Sequence, residues 1–444
     1  VAEAELSARV PSGERGRPFT SATFDLHALG YVEEEWFLSG EAPTYAARRG
    51  TSLAGDGRWD VERADAATFR TRLLVRRPVD HARFDRTVVL EWLNVSGGID
   101  LDPVWAQSHT EIMRAGSAWI GVSAQRAGVH APPAIPGFSE PLEVWDAARY
   151  GTLSVPDDDL SYGIFTAAAR SARTGALSGG VPVDTIVAAG ASQSANRLVT
   201  YVNAVAPVEE AIDAFLVHGR VGTSAPLLAA GLIMPDPLTL RTDLRLPVLV
   251  LESEFDALRS WLARQPDSDA FRLWEVAGST HQDEYVERTL HLQFARDLGQ
   301  RLPGCDCAVN DMPFHHVENA ALMHLARWVR GGAPAPTLPR ITMRDGEVAR
   351  DDDGNALGGI RLPQLDAPLA QYGPVGTPEH CALRGFVLAF EPSVVRARYG
   401  SRVDYLQRFD ECTRAAMQEG FLFGDDAEEG RALAARAIDA AFTS

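Results

Sequence analysis

Thr185-Ile186-Val187-Ala188-Ala189-Gly190-Ala191-Ser192-Gln193-Ser194-Ala195 is a short apolar run that ends in small residues around a serine. It reads as a strand turning sharply into a helix, so that Ser192 Oγ stands above the edge of a sheet as a nucleophile elbow. Such a turn presses strand against helix and leaves room only for small side chains, which Gly190 and Ala191 provide. The usual spacing G-x-S-x-G has glycine two positions after the nucleophile. This chain has Ser194 there, still small, so an ordinary strand-to-helix loop is the alternative, and the downstream sequence weighs between the two.

Two further segments repeat the pattern of a buried strand followed by a polar residue. Leu246-Pro247-Val248-Leu249-Val250-Leu251 is a continuous apolar run, as in a parallel strand covered on both faces, and leads into Glu252-Ser253-Glu254-Phe255-Asp256. Phe271-Arg272-Leu273-Trp274-Glu275-Val276 leads into Ala277-Gly278-Ser279-Thr280-His281. A residue just past a parallel strand lies at the sheet's carboxyl edge. The chain order is therefore serine, acid, histidine, each at such an edge.

These residue types suit acyl transfer. Serine is a weak nucleophile at neutral pH, so His281 would take its proton and later return it to the leaving group. The acid would fix the imidazole tautomer. Asp256 fits the loop spacing best, with Glu254 as the alternative acid. Glu252 still belongs to the strand. One oxyanion donor should be the backbone N–H of Gln193, at the start of a helix. The second should come from Val95, Ser96 or Gly97, in the loop after the strand Thr87-Val88-Val89-Leu90-Glu91-Trp92. The other histidines have no comparable place, and His315, His316 and His324 read as packed or capping residues of an apolar helix.

Taken together, several stretches resemble the "alpha/beta hydrolase domain-containing" proteins, a branch of the α/β-hydrolase superfamily. They are Gly30-Tyr31-Val32-Glu33-Glu34-Glu35-Trp36-Phe37, Glu91-Trp92-Leu93-Asn94-Val95-Ser96-Gly97-Gly98, Gly121-Val122-Ser123-Ala124-Gln125, the Gly190 elbow, Glu254-Phe255-Asp256, Ala277-Gly278-Ser279-Thr280-His281 and Gly354-Asn355-Ala356-Leu357-Gly358-Gly359-Ile360-Arg361. The resemblance implies an α/β fold and a serine hydrolase acting on carboxylic esters. An amidase, a lactonase, an acyltransferase or a non-catalytic binder of small ligands are the alternatives on the same scaffold.

Composition narrows the field. A net charge of −18 is unsuited to nucleic acid or an anionic membrane as partner; the small-molecule ester partner is what the resemblance implies. No apolar run is long enough for a membrane span. All 42 basic residues are arginine, which rules out P-loop, Schiff-base, pyridoxal-phosphate and S-x-x-K chemistries. Neither H-E-x-x-H nor G-x-G-x-x-G occurs. An EF-hand frame on Gly354 puts Ala349 and Ile360 at the first and last ligand positions, where neither can ligate. No cofactor and no metal is expected at the site. Cys305 and Cys307 are too close for a zinc knuckle, whereas a disulfide from that segment to Cys381 would imply an oxidising compartment. Val1 to Pro18 carry no secretory h-region and the first residue is not methionine, so a cytoplasmic location and export after removal of a leader both stay open.

The expected organisation is one α/β-hydrolase domain, with a β-rich segment over 1–85, a catalytic core over 86–338 and a C-terminal extension over 339–444. Alternation from Ala67 to Val75 predicts an antiparallel strand whose wet face carries Thr68, Arg70, Arg72 and Arg76. Parallel strands are expected near 87–92, 118–123, 185–189, 214–218, 247–251 and 271–276. A short lid is expected over Val221 to Arg245, and an amphipathic helix over Glu318 to Val329. Hairpin turns are expected at Asp345-Gly346 and Asp353-Gly354, and a helical tail from Pro392.

Overall fold

The computed structural model describes residues 4–7, 10–130, 139–228 and 234–442. Nine strands form one sheet: β1 (Glu5–Ser7), β2 (Tyr31–Ala47), β3 (Val61–Pro78), β4 (Thr87–Trp92), β5 (Ala118–Val122), β6 (Thr185–Ala191), β7 (Ala214–His218), β8 (Val248–Ser253) and β9 (Phe271–Val276). Their order is β1-β2-β3-β5-β4-β6-β7-β8-β9. β2 and β3 make a long antiparallel hairpin, and β3 also pairs antiparallel with β5. From β5 to β9 every pairing is parallel. This is the mostly parallel sheet with N-terminal antiparallel strands that the sequence predicts.

The continuous apolar runs have a direct cause. Along β6, Ile186 and Ala188 join the hydrophobic core on one face of the sheet, whereas Val187 and Ala189 join the core on the other. Along β8, Val248 and Val250 face one side, and Leu249 and Leu251 the other. Both faces are covered, so both parities are apolar. The helices that matter for the site are α1 (Pro103–Ala115), α2 (Ser161–Arg173), α3 (Gln193–Thr200), α4 (Glu254–Ser260), α5 (Glu284–Asp297) and α6 (Phe314–Val329).

One expectation is overturned on β3. Arg72 and Arg76, expected on a wet face, are completely buried. Arg76 donates to Asp102 Oδ2 (2.6 Å) and Glu33 Oε2 (2.8 Å) and lies over the rings of Trp105 and Trp119. Arg72 lies 3.4 Å from Asp100 Oδ2 and 3.7 Å from Glu35 Oε1. Alternation records polarity but not pairing, and a buried arginine needs carboxylates and aromatic faces around it. Because Asp100 and Asp102 end the loop after β4, these pairs tie the N-terminal hairpin to the segment expected to carry an oxyanion donor.

Beyond residue 339, a two-residue hairpin joins β10 (Met343–Arg344) to β11 (Glu347–Val348). Asp345 and Gly346 both have positive φ (53° and 84°), as this tight turn requires. β12 (Ala370–Gly373) pairs with β13 (Phe386–Ala389), and α7 (Pro392–Tyr399), α8 (Arg402–Glu419) and α9 (Gly424–Phe442) complete the chain. A disulfide joins Cys305 to Cys381; Cys307 and Cys412 are free. Residues 229–233 of the expected lid lie outside the described residues. The rest of it packs on α3 and the β2–β3 hairpin, through Val221 N–H to Asn196 Oδ1 and Thr239 N–H to Gly55 O. No described helix is long and apolar enough to cross a membrane.

Candidate active site

Ser192 sits between β6 and α3 with φ 59° and ψ −117°, a positive-φ backbone that a non-glycine residue adopts only when its surroundings impose it. Those surroundings are visible. Ser192 N–H donates to His218 O (2.9 Å) at the end of β7. A Cβ on Gly190 would lie 3.0 Å from Ser194 O and 3.1 Å from Leu198 Cδ1, so a side chain there would force the turn to shift. Ser194 is more than a small filler: its buried hydroxyl accepts Ala191 N–H (3.0 Å) and donates to Ala191 O (2.9 Å), pinning the turn.

The acid and the histidine meet between the segments that follow β8 and β9. β8 ends in Ser253, whose Oγ accepts Asp256 N–H (3.2 Å), caps α4 and donates to Asp256 Oδ2 (2.6 Å). Asp256 Oδ1 lies 2.7 Å from His281 Nδ1. Burial pushes the Asp256 carboxyl up, but His281, the Ser253 hydroxyl and His218 outweigh it and hold the group below the usual carboxylate range. Glu254 does something else. Its oxygens take Gly278 N–H (2.7 Å) and Arg350 Nη2 (2.6 Å), bracing the loop that carries His281. That loop is also held by Asn310, which donates to Gly278 O (2.8 Å), and by Thr280, which donates to Leu383 O (2.9 Å).

Ser192 and His281 line one cavity of about 150 Å³, together with His218 and an apolar wall that includes Leu101, Pro103, Val286, Leu290 and Leu383. The described part of 221–245 does not contribute to that wall. A larger hollow, of about 440 Å³ beside Tyr45 and Arg170, contains no such grouping.

The expected oxyanion donors differ in availability. Gln193 N–H opens α3, and no described group accepts from it. Ser96 N–H is taken by Asn94 Oδ1 (2.8 Å), while Asn94 Nδ2 donates to Ala191 O (2.9 Å) and so locks the loop onto the elbow. Val95 N–H has only a long contact, 3.5 Å, to Gln193 Oε1. Gly97 lies in the turn closed by Gly98 N–H on Val95 O.

Two residues at this site went unnoticed in the sequence. Gly219 has φ 65°, and a Cβ there would lie 3.0 Å from Asp256 Oδ2 and 3.4 Å from His281 Cε1, so a side chain would push the pair apart. His218, just before it, is buried with Nδ1 3.0 Å from Oε2 of the buried Glu318 on α6. Burial pushes this imidazole down, but Glu318 prevails and holds it above its ordinary value. The signal was available, because His218 ends an expected parallel strand just as the other site residues follow theirs.

The family model described as "Alpha/beta hydrolase domain" matches residues 6–432. A search of curated proteins finds no significant match. Among solved structures, the chain is similar to the esterase Est22 (12% identity, 68% of this chain and 81% of that one, TM-score 0.34). It is also similar to a fungal esterase structure from Rhizomucor miehei (14%, 71% and 94%, TM-score 0.34). A third is XC6422 from Xanthomonas campestris, titled a serine hydrolase without lid (14%, 51% and 88%, TM-score 0.29). With the family model spanning nearly the whole sequence, the chain belongs to the alpha/beta hydrolase domain family.

Proposed function

We propose that this chain is a cofactor-independent serine hydrolase of carboxylic esters with short acyl groups. The observation that carries the proposal is the 2.7 Å contact between Asp256 and His281 beside a cavity that holds Ser192 in its positive-φ backbone. In the reaction, Ser192 Oγ attacks the ester carbonyl while His281 Nε2 accepts its proton. Asp256 keeps the other ring proton on Nδ1 and stabilises the imidazolium. The oxyanion takes Gln193 N–H and Val95 N–H, the latter exchanging its long contact with Gln193 Oε1 for the substrate oxygen. His281 returns the proton to the departing alcohol. Water, activated in the same way, then releases the acid and restores Ser192.

The cavity supports the short-acyl reading, since about 150 Å³ is well below the ~300–1,000 Å³ of sites that enclose drug-sized ligands. The test is a series of p-nitrophenyl esters of increasing acyl length. Acetate to butyrate should be turned over, long chains poorly, and Ser192→Ala should lose turnover by ~10⁴-fold or more with its fold intact. Undiminished hydrolysis by Ser192→Ala would end the proposal.

A further inference from the structure

On the far side of α6 from the sheet, His315 and His316 converge with Glu429 of α9. His316 Nε2 lies 3.5 Å and His315 Nε2 3.8 Å from the same oxygen, Glu429 Oε2. One ligand atom from each residue can be chosen so that all three lie within 4.8 Å of one another. Both imidazoles are buried, at 4% and 1% exposure. Among the described residues, His315 Nδ1 and Nε2 and His316 Nε2 have no hydrogen-bond partner. Buried polar atoms of this kind are costly unless something satisfies them, and 3.5 to 3.8 Å is too long for the carboxylate to do so by hydrogen bonding.

The spacing suits a metal ion better. Bonds of ~2.0–2.1 Å in a tetrahedral site put ligand atoms about 3.3 Å apart, close to the 3.5 and 3.8 Å that separate the two imidazoles from Glu429 Oε2. Two imidazoles and a carboxylate form a donor set for a late first-row divalent cation and not for calcium or magnesium, which want oxygen throughout. An entry path exists as well. A cavity of about 640 Å³ between the core and the C-terminal helices reaches His315 and Glu429, leaving space for water at a fourth position. Tyr285, stacked on His315 with ring centroids 3.9 Å apart, fixes that imidazole plane.

We propose that His315, His316 and Glu429 form a divalent transition-metal site of the zinc class, separate from the Ser192 site, which clamps the C-terminal helix α9 to α6. Adjacent histidines and a glutamate far along the chain make none of the usual metal spacings, so only the tertiary structure brings the set together.

The test uses the full chain, stripped with chelator and dialysed against Zn²⁺ or Co²⁺. The expected result is one equivalent bound per chain, a thermal midpoint that rises with Zn²⁺ but not Mg²⁺, and the intense visible absorption of four-coordinate Co²⁺. Glu429→Gln, whose side chain is half exposed, should weaken Zn²⁺ binding by more than the ~10–100-fold that loss of an outer-shell partner costs and abolish the cobalt spectrum, with the thermal midpoint of the metal-free variant as the check on its fold. His316→Gln should do the same. If that buried variant fails to fold, Glu429→Gln alone decides. No stoichiometric binding by the unaltered chain, or equal affinity in Glu429→Gln, overturns the proposal.

Discussion

Asp256→Asn offers a test in which geometry dictates the outcome. Ser253 Oγ accepts Asp256 N–H, so its own hydrogen points at Asp256 Oδ2. An asparagine must therefore turn its carbonyl oxygen toward Ser253 and its amide NH₂ toward His281 Nδ1. The NH₂ can only donate, which makes Nδ1 an acceptor and moves the ring proton to Nε2, where it blocks the base. The expected loss in kcat is ~10⁴-fold, about 5.4 kcal/mol at 1.36 kcal/mol per decade. Glu254→Gln is the matched control. Its carbonyl can still take Gly278 N–H, and although the lost charge breaks an ion pair whose Glu254 end is buried, the cost falls on stability and not on the His281 tautomer, so kcat should drop less than ~10-fold. Steady-state kinetics on p-nitrophenyl acetate would read both. A larger loss in Glu254→Gln, or Asp256→Asn within tenfold of the parent enzyme, would refute the reasoning.

Other consequences concern the frame around the site. Ser194→Ala removes both bonds that pin Ala191 and should cost ~1–3 kcal/mol in denaturant unfolding while kcat stays within tenfold. A loss as deep as that of Ser192→Ala would mean the nucleophile is misassigned. Burial raises the Asp283 carboxyl to about 6 from its ordinary 3.8, so the native state holds its proton to higher pH than the unfolded chain. Stability therefore falls as pH rises through this window, by about 3 kcal/mol at most. Asp283→Asn still caps α5 and should lack that slope in urea titrations across the same pH range; an unchanged slope contradicts it. Cys305→Ser opens a link spanning 76 residues and should cost ~2–4 kcal/mol in thermal unfolding. It should also raise KM, because the segment held by Cys381 carries Leu383 into the cavity lined by Ser192 and His281. A KM unchanged by the mutation would separate the disulfide from the site.

The parallel core was legible because each of its strands is buried on both faces and so reads as an unbroken apolar run. The positions of Ser192, Asp256 and His281 were legible as well, because a residue just past a parallel strand has only the sheet's carboxyl edge to occupy. What local sequence could not carry was pairing. Arg72 and Arg76 look like a solvent face until Glu33, Glu35, Asp100 and Asp102 are brought around them from distant segments. The choice between Glu254 and Asp256 likewise turns on Ser253 capping α4, which directs Asp256 back toward the histidine. His218 met Glu318, and His315 and His316 met Glu429, only through the packing of α6.

The most direct test of the serine-hydrolase proposal is mass spectrometry of the protein after reaction with a fluorophosphonate. The account predicts a single covalent adduct on the peptide containing Ser192, slowed by orders of magnitude in His281→Ala and absent in Ser192→Ala. An adduct on another residue, or none in protein that hydrolyses esters, would contradict it.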